Sequence, residues 1–551
     1  MKRANPVGLL SFAIATIAVL GGLGLWKGGL YMNWYEGDVL HLIEIVMRMA
    51  GGQVPHLDFM TPLGILSAWP IVVFVKAGLG VGTAFHAAQI AVALALLGPI
   101  LRAAYSRFAG VTAYLFVLLM LVLPLALVHG GTDVSVSFSM HYNRWAWAFS
   151  LVALTLAVLP PLGARRQSLD GLLIGVLLAA VVLIKVTYLV ALTPAVILAL
   201  LLRGAARTLV VGLLAGVVSL GIVTLFLGFD FWVAYARDLL VTAQSEIRPH
   251  PDMPLGEMLT APLLLGVHFL ALAAVVLLRQ GKRRNEGLLL LVLLPGLIYV
   301  TFQNFGNDPQ WVLWLGLVLL MWRPDPGVAN AWGWELRPAV TMTAAMLLAL
   351  GAASFSNLAY SPLRHAAVAT ATYVPFFPRS QTHDDLFYPR EMALEVQFGF
   401  KAAERSPRFA LDFHEGDPAK LPTVLAGETL ETCQLQSGML TWFDQTARDL
   451  EKAGFADGSR IMVADLLSNM PLFSDSIAWV EGGAPWRYDG LPGIGAADYV
   501  LVPLCAVIPR VRQLTVAQLT EREIPLREVF RNDLFILMES GNRDQAIASS
   551  R

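Results

Sequence analysis

The feature that most constrains this chain is the recurrence of apolar runs about 20 residues long, the length a helix needs to cross a bilayer. The first, "VGLLSFAIATIAVLGGLGLW", occupies residues 7–26, and further runs lie near 84–101, 109–128, 145–161, 169–184, 187–202, 208–228, 260–279, 287–302, 311–322 and 338–356. Only 14% of the 551 residues are charged, and 56% are hydrophobic. The composition predicts a polytopic α-helical membrane protein with about 11 transmembrane helices. The net charge of -1 gives no electrostatic basis for binding nucleic acid.

Charge placement predicts the topology. Lys2 and Arg3 precede the first run, which lacks a cleavage signature and reads as an uncleaved anchor entering from the cytoplasm. Arg102 and Arg107, Arg165 and Arg166, Arg203 and Arg207, "RQGKRR" at 279–284, and Arg323 with Arg337 then fall on alternate loops, as the positive-inside rule requires. That holds only if "LGILSAWPIVVFVKAGLG" (63–80) does not cross, so it is expected to be interfacial or re-entrant.

Residues 1–356 are thus expected to form the membrane domain, with a first external loop over 27–83. An odd number of crossings puts 357–551 outside the cytoplasm, in the periplasm of a bacterial inner membrane. There the pattern changes. "SRIMVADLL", "ADYVLVPLCAV" and "RNDLFILMES" read as strands, and "GMLTWFDQTARDLEKAGF" as an amphipathic helix ending at Gly454. A soluble α/β domain is expected. The chain's two cysteines, Cys433 and Cys505, both fall in it; a bridge and two buried thiols fit the sequence equally.

Chemistry concentrates in the first loop, "YEGDVLHLIEIVMRMAGGQVPHLDFMTPLG" (35–64). Residues 39–50 read as an amphipathic helix with Asp38 at the N-cap and Gly51-Gly52 as the stop. His41, Glu44 and Arg48 form a polar ridge beside Asp38, on a helix expected to lie flat on the outer membrane surface and to present that ridge outward. Carboxylates at headgroup level could take a proton from an attacking hydroxyl or amine. The plainer readings are a capping Asp38, a solvated Glu44–Arg48 pair and a turn-forming Asp58.

The segments "EGD", "GQVPHLDF", "TPLG" and "KAGLG" resemble the first external loop of the GT-C glycosyltransferases, which include protein mannosyltransferases and the aminoarabinose transferases of lipid A. "LIKVTYLV" resembles a second recurring piece, a Lys-x-x-Tyr between two short spans. Where the family commonly carries an arginine after the loop helix, this chain has His86. The resemblance implies transfer of a sugar from a polyprenyl-phosphate donor to a lipid, glycan or protein acceptor at the outer membrane face. By analogy Asp38 is the general base, Glu36 assists, and Asp58 supports the loop or touches the sugar.

A leaving lipid phosphate calls for cations and donors. His56, His141, Arg144, Lys185, Tyr188, Arg248, His250, Asn307 and Asp308 are the candidate substrate-binding residues on the same side. Carboxylates and histidines together leave room for a divalent metal, though no HxxxH or DxD spacing demands one; no cofactor is otherwise implied. Two other functions fit part of the pattern. A transporter or flippase would show paired repeats and charges near the bilayer midplane. A non-catalytic assembly protein would leave the acidic loop without a role.

Overall fold

The structure, a computed structural model, describes residues 3–245, 247, 254–304, 309–400 and 422–541. Helix α1 (Pro6–Lys27) is followed by a loop carrying α2 (Glu36–Ala50) and α3 (Trp69–Lys76). Then come α4 (Val81–Arg107), α5 (Val111–Leu125), α6 (His141–Val158), α7 (Gln167–Ile184), α8 (Val186–Leu202) and α9 (Ala206–Leu227). The amphipathic α10 (Asp230–Ala243) and short α11 (Leu255–Thr260) lead to α12 (Pro262–Gln280), α13 (Arg284–Gln303), α14 (Trp311–Trp322) and α15 (Leu336–Ala366).

A helix lies over each of the eleven apolar segments. Seven of them (α1, α4, α7, α9, α12, α13 and α15) are long and apolar enough to cross a membrane, and α5, α8 and α14 are shorter apolar helices. The chain is a multi-pass membrane protein. Helix α3 has 8 residues, about 12 Å of rise, far short of a bilayer core of about 30 Å. Residues 63–80 therefore hold no helix long enough to cross.

Arginines from different loops meet at one end of the bundle. Arg102 and Arg107 both donate to Asp170, at 2.9 and 2.6 Å. Arg203 donates to the Leu156 carbonyl at the end of α6, and Arg3 lies over the Tyr105 ring. These contacts place the N-terminus and the α4–α5, α6–α7 and α8–α9 loops on one side. Helices α7 and α9 pack backbone to backbone. A Cβ on Gly175 would collide with the Gly212 carbonyl, so the small residue is what permits the approach.

At the other end, the first loop, the α5–α6 segment and the C-terminal region interlock. Strand β1 (Leu30–Tyr31) leads into α2, and β2 (Val128–Gly130) pairs antiparallel with β3 (Asp133–Val136). Helix α15 runs past residue 356 to Ala366, where the Lys27 ammonium caps it through the Ala366 and Val368 carbonyls. Strands β4 (Tyr373–Pro375) and β5 (Leu386–Pro389) complete a three-stranded sheet with β1, in the order β1-β5-β4. In the same segment the Asp385 carboxylate accepts the Gly82 and Thr83 amides and so caps the first turn of α4.

Beyond the short α16 (Arg390–Leu394), β6 (Gln397–Phe400) pairs with β9 (Cys433–Ser437), and β7 (Thr423–Leu425) with β8 (Glu428–Leu430). Helix α17 (Met439–Lys452) buries Leu440, Phe443, Ala447 and Leu450 at helical spacing. The main sheet runs β10-β11-β13-β12, from β10 (Ile461–Val463), β11 (Tyr499–Pro503), β12 (Leu526–Arg531) and β13 (Phe535–Ser540), with α18 (Pro509–Glu521) between β11 and β12. The three expected strand segments and the amphipathic helix all form. A disulfide joins Cys433 and Cys505.

Candidate functional site

Helix α2 begins at Glu36, earlier than the sequence reading placed it. Tyr35 holds the N-cap position with φ 66°, and its carbonyl accepts the Val39 amide. Asp38 therefore lies inside the first turn and is not the cap, which corrects the expectation above. Two acids in that turn suit the positive end of the helix dipole.

The polar ridge of α2 also differs from expectation. It does not face outward: Glu44 and Arg48 are buried, at 0% and 2% exposure. The C-terminal domain covers them. Arg48 Nε donates to Glu44 at 2.7 Å, its Nη1 donates to the Val480 carbonyl, and its guanidinium lies 4.6 Å over the Trp479 ring. Asn469 donates to the other Glu44 oxygen. The pairing at i, i+4 is as read from sequence, but its environment is a buried interface in which the C-terminal domain supplies further partners to both side chains. Glu36, half-buried, also meets the C-terminal domain. Its Oε1 accepts the Leu440 amide at 2.7 Å, satisfying the first turn of α17, which has no side-chain cap of its own. Burial pushes the Glu36 carboxyl up to about 8 against the pull of the Leu440 and Met439 amides.

The following turn is also held tightly. Asp58 Oδ2 accepts the Val54 amide at 2.6 Å, and the Asp58 carbonyl accepts Gly482 N–H from the C-terminal domain. His56, buried at φ 72°, meets Asp238 of α10 through Nδ1 at 2.9 Å and stacks on Tyr235. Asp238 also accepts the Thr61 amide. The sequence reading missed Asp238. Its signal was present: Phe231, Ala234, Tyr235 and Asp238 share the buried stripe of α10, and an acid on such a stripe needs a partner.

The open part of the loop is the Tyr35–Asp38 end. Asp38 is half-buried, as is Asp133 of β3. The Tyr35 hydroxyl donates to Asp133 Oδ2 at 2.8 Å. Burial, this bond and the charges of Asp133 and Asp38 push the Tyr35 phenol up to about 12. Burial raises the Asp133 carboxyl, but hydrogen bonds from Ser135 and Tyr35 outweigh it and hold it below the usual carboxylate range. His129 stacks on Tyr35 at 4.2 Å, and its Nε2 meets Ser139 Oγ at 2.7 Å. Burial and the Arg144 charge lower this imidazole to about 4, so it is neutral at physiological pH.

A second polar cluster occupies the non-helical break between α7 and α8. Lys185 Nζ donates to Asn143 Oδ1 at 2.9 Å and Asn304 Oδ1 at 2.6 Å, beside the rings of Tyr142 and Tyr188. Asn304 in turn donates to the Tyr188 hydroxyl, which donates to the Asn143 carbonyl. The first loop reaches the α7 side of this break and the start of α6. Gly64 N–H donates to the Ile184 carbonyl, and His141 Nε2 lies 2.7 Å from the Ser67 carbonyl. Both clusters thus lie at the loop end of the bundle. Tyr35, His56 and Met140, three of the six non-glycine residues with positive φ among the described residues, are also there, as strained backbone at a working site would be.

The remaining candidates are placed differently. Both ring nitrogens of His141 face backbone carbonyls of Phe138 and Ser67 in the interior. Arg144 is buried and donates to the Ala126 and Val128 carbonyls past the end of α5. Neither presents its polar group outward. Arg248, His250, Asn307 and Asp308 lie outside the described residues. Among the described residues no group of three or more His, Cys, Asp or Glu side chains is placed to hold a metal ion.

No family model and no curated protein matches the chain. Among solved structures it is similar to the crystal structure of ArnT from Cupriavidus metallidurans bound to undecaprenyl phosphate. The match covers 97% of both chains at 11% identity, with a TM-score of 0.40. A likeness at that level assigns no residue a role.

Proposed function

We propose that the protein is a membrane glycosyltransferase of the GT-C type, moving a sugar from a polyprenyl-phosphate donor to a cell-envelope acceptor. The observation that carries this reading is the shared placement of two clusters. Half-exposed carboxylates around Tyr35 and a lysine ammonium at a break between two apolar helices both lie at the loop end of the bundle. An amphiphilic donor with its tail in the bilayer would bring its phosphate to that level.

The chemistry follows from those groups. Asp38 takes the proton of the acceptor hydroxyl or amine as that atom bonds to the anomeric carbon. The bond from that carbon to the phosphate oxygen breaks, and the lipid phosphate leaves with the electron pair. Lys185 offsets the negative charge developing there. Asp133, kept ionised by Tyr35 and Ser135, orients the acceptor or donor sugar. Glu36 and Asp58, engaged by backbone amides, shape the loop. A disulfide suited to an oxidising compartment and an arginine-rich end of the bundle suited to the cytoplasm support a reaction on the periplasmic face.

The test is sugar transfer from radiolabelled polyprenyl-phosphate sugars by the purified full chain. Wild type should transfer label, and Asp38→Asn should lose about 10²- to 10⁴-fold in rate, the usual worth of a positioned base. No transfer by wild type across a broad donor panel would favour the transporter or assembly readings.

A further inference from the structure

The C-terminal domain contains a cavity of about 240 Å³ between β9, the end of β6 and the start of α18. Strand alternation sends Cys433 and Leu435 inward and Gln434 and Gln436 outward, so both amides face the same side. Gln513 of α18 adds a third amide, whose Oε1 is buried and accepts no hydrogen bond. Phe400, at the end of β6, lies at the rim. Arg510 enters at the first turn of α18 and has no carboxylate partner among the described residues.

None of the lining side chains among the described residues is acidic. The second lining arginine, Arg512, is fully buried and already donates to Thr423 Oγ1 and to the Pro503 and Glu431 carbonyls. Arg510 is thus the cation left for a ligand. Amides are what sugar hydroxyls require, and a guanidinium with no carboxylate partner among the described residues selects a carboxylate or phosphate on that sugar.

The walls are also fixed in place. Cys433, beside Gln434, is bonded to Cys505, which lies just before α18. The Leu435 amide donates to the Ala506 carbonyl, and the Ala506 amide to the Cys433 carbonyl. The floor and wall of the cavity are locked to one another, so little ordering remains to be done on binding.

We infer that this cavity binds an acidic sugar unit of the acceptor glycan, with Arg510 on its anionic group and Gln436 and Gln513 on its hydroxyls. The site is outside the transfer site. Only its naming as an acceptor subsite rests on the glycosyltransferase reading; the binding itself does not.

The experiment is equilibrium binding of fluorescent trigalacturonate and neutral maltotriose to the full chain in nanodiscs. Trigalacturonate should bind wild type and Asp38→Asn equally, and maltotriose at least ~10-fold more weakly. Arg510→Ala and Gln436→Ala should each lose ~10-fold or more, the scale of one charged or well-placed hydrogen bond. Gln436 is solvent-facing, so its variant keeps the test open if Arg510→Ala fails to fold. Absence of trigalacturonate binding, equal binding of both saccharides, or unchanged binding in folded Gln436→Ala would overturn the inference. Loss of transfer with intact saccharide binding in Asp38→Asn would leave it standing.

Discussion

The two ends of helix α2 share a sequence character and differ in fate. Glu36, Glu44 and Arg48 have their hydrogen bonds met by the C-terminal domain: the Leu440 amide, Asn469, the Val480 carbonyl and the Trp479 ring. Asp38, two residues from Glu36 and like it half-buried, lies instead near Tyr35 and Asp133. One helix thus serves as a docking rail and as the edge of a polar site. A carboxylate enclosed by amides and a guanidinium has little freedom to exchange protons with a substrate.

The sharpest way to break the contrast is to remove the rail. Arg48→Ala leaves Glu44 buried without its cation, and such a loss costs about 3–5 kcal/mol. The expected result is a large drop in thermal midpoint in detergent, with transfer lost through unfolding. Asp38→Asn should melt within about 0.5 kcal/mol of wild type, as surface substitutions do.

Lys185→Met tests the second cluster. It removes charge-assisted hydrogen bonds worth about 1.5–3 kcal/mol each. Loss of one such bond to the donor phosphate should lower kcat/KM for the lipid donor by about 10- to 150-fold. If donor kinetics are unchanged, Lys185 only holds α6, α8 and α13 together.

Glu36 gives the smallest effects and the clearest sign. Glu36→Ala should cost about 1 kcal/mol, the worth of a helix cap. The Glu36 carboxyl sits at about 8 in the folded chain against an ordinary value of 4.5. Between those values the folded chain holds a proton that the unfolded chain has lost, so this group's contribution to stability falls as pH rises. Thermal midpoints measured from pH 5 to pH 9 should show a decline that Glu36→Gln reduces. An undiminished decline would place the titration elsewhere.

Much of this architecture was legible in the chain. Apolar run length marked the helices, alternate-loop arginines singled out 63–80 as non-crossing, and period-2 and period-3.6 patterns marked the C-terminal strands and helix. The first-loop site was legible as a cluster of residue types, not as an arrangement. Helical spacing put Glu44 and Arg48 on one polar face, but nothing local reports that Asn469 and Val480, more than 400 residues away in sequence, cover that face. Arg144 was read as a substrate-binding cation because it flanks a span on the outer side. Its partners are carbonyls past the end of α5, where the backbone is no longer helical and accepts an outside donor. Tyr35 was invisible because its role depends on a hydrogen bond to Asp133 across the α5–α6 segment.

The most direct test compares Asp38→Asn with Glu36→Gln in one transfer assay, with melting curves recorded on the same preparations. The split of α2 into a rail and a site predicts that Asp38→Asn is folded and inactive while Glu36→Gln is folded and active. A folded Asp38→Asn that transfers sugar at the wild-type rate, or a folded Glu36→Gln that does not transfer, would contradict it.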